Sequence, residues 1–99
     1  MSSRSETLHC VVRAPLDGEA LALALPLLRP GDALLLMQDG VRAAFLEHID
    51  VPKGVETCVL IGDVVRRGLD PTRIRGFVAI DEGGFVALAA RAGRQVCWA

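Results

Sequence analysis

The run "ALLLM" at residues 33–37 is apolar at every position, and this limits the fold more than any other feature of the chain. A strand with one wet face alternates apolar and polar residues. A strand without alternation expects cover on both faces, which is the condition of a parallel sheet between layers of helix. "TCVLI" (57–61) is a second such run, and "LHCVV" (8–12) and "RGFVAI" (75–80) read as shorter strands. The segments between them carry helical signals. In "APLDGEALALALPLLRPG", Asp17 is placed to cap a helix with Leu21, Leu25 and Leu28 on one face. Pro26 removes a backbone donor inside that helix and predicts a kink or early stop.

"DGVRAAFLEH" puts Val41, Ala44, Phe45 and His48 at helical spacing, and "VPKGVE" reads as a loop. "GDVVRRGLDP" predicts a helix of about two turns, capped by Asp63 and closed by Gly68 and Pro71. "DEGGFVALAARAG" predicts a helix capped by Asp81 or Glu82, and "RQVCW" a terminal strand. Five strands then alternate with four helices. The expected fold class is α/β, a single three-layer α/β/α domain with a mainly parallel sheet of about five strands. The domain is expected over residues 8–99, after a polar leader at 1–7.

A chain of 99 residues with 52% hydrophobic content has material for one core and no second. The longest apolar stretch is broken by Pro26, Arg29, Pro30 and Asp32, whereas a spanning helix needs roughly 20 unbroken apolar residues. No membrane association is expected. "MSSRSET" does not resemble a secretion signal, so a cytoplasmic location is expected. With a net charge of −1, no overall basic field draws the chain to nucleic acid, and any such contact must be local or indirect.

The three cysteines lack CxxC spacing and read as reduced thiols rather than a disulfide framework or zinc site. No phosphate-cradling loop and no GxGxxG occurs, and no cofactor or metal is expected. His9 and His48 have no partner at ligand spacing and read as structural residues. Arg66, Arg67, Arg73 and Arg75 form the one dense positive cluster. It would meet tRNA or an acidic partner, or stand as a solvated face near Asp63 and Asp70.

"QDG" at 38–40 follows an apolar strand, and ligands of open α/β sheets gather beyond the carboxyl ends of strands. Asp39 is therefore a working carboxylate, a helix cap or a subunit contact. The last two suit it better if thiol chemistry is near, because a carboxylate beside a thiolate raises the thiol pKa.

"LHCVVRAP" (8–15), "PGDALLLMQDGV" (30–41) and "QVCW" (95–98) together resemble the TusB/DsrH family of small sulfur-relay subunits. "GDVVRRGL" and "IDEGGFVAL" look like that family's third-helix and final-helix segments. The resemblance implies a DsrE-like domain, similar in layout to flavodoxin, working in a hetero-oligomer with TusC-like and TusD-like subunits. Such a complex passes persulfide sulfur toward 2-thiouridine at the tRNA wobble position, and a related one serves sulfur oxidation. It also implies that tRNA is reached only indirectly, that the main acceptor cysteine belongs to another subunit, and that this chain is an accessory, non-catalytic one. Expressed alone, it could form homo-oligomers. Some members carry a further cysteine in the first helix, where Ala24 stands here, and Ala14 replaces a frequent serine before Pro15.

A relay thiol must be an accessible thiolate. Cys58 lies in a strand expected to be buried and reads as an inert small hydrophobe. Cys10 follows His9, but neighbouring strand residues point to opposite faces, so His9 cannot serve it as a base. Cys97 is the remaining candidate, and a sulfurtransferase using it is the rival to the accessory role. Trp98 is an interface anchor or folds back on its own domain. Asp39, Gly40 and Trp98 are the expected binding or interface residues. A third reading, a stand-alone small-ligand domain, rests on fold analogy alone.

Overall fold

Five strands, Thr7–Val11 (β1), Ala33–Leu36 (β2), Glu56–Leu60 (β3), Val78–Ile80 (β4) and Arg94–Trp98 (β5), form one sheet in the order β4-β3-β2-β1-β5. Every adjacent pair is parallel. The computed structural model describes residues 6–14, 20–46 and 49–99. The cap expected at Asp17, Pro15, His48 and the first five residues of the polar leader lie outside them.

The strands without alternation occupy the middle of the sheet. Every residue of β1 and β2 is buried, while the three residues of β4, at one edge, are exposed or half-buried. In-register neighbours on parallel strands point to the same face, so Val11, Leu34, Leu36 and Val59 line one side and Leu8, Cys10, Leu35 and Cys58 the other. The first side packs against Ala20–Ala24 (α1), the 3₁₀ run Gln38–Phe45 and Ile61–Arg66 (α2) through Leu21, Val41, Ala44 and Val64. The second is covered by Glu82–Arg91 (α3), whose buried contribution is Leu88. The chain therefore forms the expected three-layer α/β/α domain. Its order reverses once, when it leaves β4 and crosses back by α3 to place β5 beside β1. Among the described residues no helix is long and apolar enough to cross a membrane.

The first helix stops at Ala24, and Pro26 sits in a 3₁₀ turn, Leu25–Leu27, the early end that its missing backbone donor predicts. Two local expectations are corrected. The segment expected as a second α-helix is a 3₁₀ run. Val41 and Ala44 are three apart, a spacing that puts both on one side of either kind of helix, so periodicity could not separate them. Asp63 is not the cap of α2; Leu60 holds that position, with no capping side chain, and Asp63 lies in the first turn. Asp81 does cap α3, its Oδ1 accepting from the Gly84 N–H at 2.9 Å.

Candidate functional site

The carboxyl edge of the sheet is built by the turn after β2. Met37 donates its N–H to the Val11 carbonyl at 3.0 Å, which ties the exit of β2 to the end of β1. Gln38 then takes a left-handed backbone, φ 52°, and is the sole non-glycine residue to do so among those described. Gly40 lies against the same Val11 carbonyl, and a Cβ there would run into its oxygen.

Asp39 is not a cap: Met37 occupies the cap position and no side chain there bonds the helix. Its carboxylate instead accepts from Arg67 Nε at 2.7 Å. The Arg67 hydrogen bond, opposed by desolvation and aided by the charges of Arg67 and Arg42, holds the Asp39 carboxyl below its ordinary pKa. Asp63, just beyond β3, accepts from the Gln38 N–H at 2.6 Å and from Arg66 at 3.1 Å. The arginine cluster therefore divides. Arg66 and Arg67 are engaged in ion pairs at this edge, while Arg73 and Arg75 are exposed.

A second polar constellation crosses β1, β2 and β5, and sequence reasoning missed it. Asp32, 7% exposed, accepts from the N–H groups of Thr7 at 3.0 Å and Arg29 at 3.1 Å. Its Oδ2 also meets His9 Nε2 at 3.2 Å, and Trp98 Nε1 lies 3.1 Å from His9 Nδ1. The two rings are within 15° of parallel. An indole nitrogen can only donate, so Nδ1 is the bare nitrogen, and Nε2 carries the proton and donates to Asp32. Both nitrogens are then used, and His9 has no lone pair left for a metal or for general-base work.

Burial of Asp32 works to raise its pKa, but the backbone donors of Thr7 and Arg29, with His9, outweigh it and the net direction is down. The signal available in the sequence was an aspartate set between a Pro-Gly turn and an all-apolar strand. Trp98 is folded back on its own domain, half-buried against the core. Beside it a cleft of about 400 Å³ opens between Leu27, Arg29, Arg94 and Val96.

The thiols differ in kind. Cys10 and Cys58 are buried, and Cys97 is exposed. Burial pushes Cys10 up to about 11, with Cys97 adding to the rise and the Gln95 amide opposing it. Burial likewise pushes Cys58 up to about 11, with Glu56 adding. Neither ionises near neutral pH, so neither offers a ready thiolate to an external sulfur donor. His9 and Cys10 face opposite sides of the sheet, and Ala24 is fully buried in α1. Among the described residues no three His, Cys, Asp or Glu side chains converge as metal ligands would.

The family model described as "DsrH like protein" matches residues 13–95. This chain belongs to the DsrH-like family. The DsrH-like chain is also similar to curated relatives called "Protein TusB" from Shigella flexneri, Escherichia coli O81 (strain ED1a) and Shigella sonnei (strain Ss046). Each is 36% identical over 97 residues, covering 92% of this chain and 99% of the relative. The match to the DsrH-like model takes in the carboxyl-edge residues 38–40 and the arginine cluster. His9 and Trp98, which close the buried polar chain, lie just outside its limits at either end.

Proposed function

We propose that this chain is a TusB-type accessory subunit of a sulfur-relay complex, a single cytoplasmic DsrE-like domain over residues 8–99 behind a short polar leader. Its work is to bind and orient a cysteine-bearing subunit while persulfide sulfur passes toward 2-thiouridine at the tRNA wobble position. TusC-like and TusD-like chains are its partners, and tRNA is reached only through them. The observation that carries this reading is the state of the thiols within a chain matching its relatives nearly end to end. Two of the three are buried and protonated, and Ala24 stands where some members place a further cysteine.

Asp39, Gly40 and Trp98 serve as contact and shaping residues in this proposal. Exposed Leu27 lines the cleft beside Trp98, and aromatic residues are enriched at the centres of interfaces. Co-expression with TusC-like and TusD-like subunits from the same genome tests this. Stoichiometric co-purification, together with lower wobble 2-thiouridine when the gene is deleted, is the expected result. Absence of association would overturn it, and unchanged thiolation with impaired sulfur oxidation would move the chain to a DsrH-like role.

The exposure of Cys97 favours a second reading, a subunit that itself carries persulfide. Incubation with a persulfide donor and intact mass separates the two. A sulfur adduct lost in Cys97→Ser supports the carrier, and an unmodified chain supports the accessory role.

A further inference from the structure

Cys10 and Cys97 are partners in the β1–β5 register, with Cys10 opposite Cys97 as His9 is opposite Val96. Both side chains therefore stand on the same face of the sheet, one buried and one exposed. Neighbouring strands lie about 4.8 Å apart, inside the Cα separation of roughly 4.4–6.8 Å that a disulfide spans. Cys58 cannot take part. The register runs Cys10, Leu35, Cys58, so β2 lies between them. Two strand spacings give roughly 10 Å, beyond what a disulfide bridges without moving the backbone.

β5 pairs with β1 alone and forms an edge of the sheet. An edge strand can lean toward its neighbour without disrupting a second ladder, which supplies the small approach of the Cβ atoms that an S–S bond needs. Gln95, exposed and two residues before Cys97 on the same face, donates its side-chain amide toward Cys10 Sγ at 3.7 Å. That contact stabilises negative charge on the Cys10 sulfur as it reacts.

We propose that Cys97 and Cys10 form an oxidation site for hydrogen peroxide, in which exposed Cys97 is oxidised first and buried Cys10 resolves it as an intramolecular disulfide. The Cys97 thiolate attacks one peroxide oxygen, the O–O bond breaks to give the sulfenic acid, and the departing hydroxide takes up the proton released when Cys97 ionised, as the first water. The Cys10 sulfur then attacks the Cys97 sulfur. The S–S bond forms, the S–O bond breaks, and the departing hydroxide takes the Cys10 proton as water. Two thiols lose two electrons to one peroxide, with two waters as the other product. The closed form holds no exposed thiol, so Cys97 is withdrawn from sulfur exchange and from linking two chains.

The test is hydrogen peroxide in slight excess on the full chain, read by intact mass and by peptide mapping without reductant. The expected result is a chain lighter by two hydrogen masses, with the Cys10 and Cys97 peptides linked. The linkage is kept in Cys58→Ala and lost in Cys97→Ser, and Cys10→Ala instead accumulates oxygen adducts on Cys97. Oxygen adducts alone on the wild-type chain, a Cys97–Cys97 link between two chains, or any link through Cys58 would overturn the proposal. The mapping on wild-type protein decides this even if a variant does not fold.

Discussion

Trp98, the penultimate residue, donates its indole N–H to His9 Nδ1 across 3.1 Å, and so joins the end of β5 to the middle of β1. Because His9 passes its own proton to Asp32, the contact ends a chain of three polar side chains with every buried nitrogen and oxygen satisfied.

Replacing Trp98 by Phe keeps the apolar bulk and removes the donor, leaving His9 Nδ1 buried without a partner. The expected loss is about 1–3 kcal/mol in denaturant unfolding. An unchanged midpoint in Trp98→Phe would show that the indole bond contributes nothing to stability.

The Asp32 carboxyl is held below its ordinary pKa. A depressed carboxyl contributes stability that is present above its unfolded-state pKa and lost as pH falls through the folded value. Stability of the wild-type chain should therefore drop on acidification below about pH 4. Asp32→Asn should be less stable at neutral pH and show a flatter acid limb in urea titrations at stepped pH.

Cys10 and Cys58 have pKa values raised to about 11. A raised thiol contributes stability that is intact below the unfolded value and lost as pH rises through the folded one. The window is from about pH 8.5 to 11. Native protein at neutral pH should expose one fast thiol to an alkylating reagent, Cys97, and denatured protein all three. Alkaline unfolding should be delayed in Cys10→Ala relative to its own neutral-pH stability.

Gly40→Ala puts a methyl against the Val11 carbonyl, and the backbone of β1 or the 3₁₀ run must move to admit it. A loss of about 1–3 kcal/mol is expected from overpacking at this junction. Asp39→Asn, at the neighbouring residue, removes an ion pair whose carboxylate is 57% exposed and screened by water, and should change stability far less. Thermal unfolding of both variants would check the contrast, and equal effects would contradict the assignment of Gly40 as the packing residue.

The strands were legible because a residue buried on both faces leaves a local mark. "ALLLM" and "TCVLI" lack alternation, and they became β2 and β3 in the middle of the sheet. Asp81 was legible for a similar reason, since a cap acts on the backbone three residues away. Asp39 and Asp63 carry the same local mark and do other things. Their partners, Arg67 and the Gln38 N–H, come from segments far along the chain, and no local pattern records that.

The sequence by itself determined the α/β class, the five strands, the early end of the first helix and the family, because apolar runs, prolines and ordered motifs act over a few residues. Tertiary structure decided which strand lies beside which. By bringing β5 back to β1 it closed Asp32, His9 and Trp98 into one chain and set Cys97 opposite Cys10. Those relationships span up to 89 residues and arise from register, which no spacing along the chain encodes.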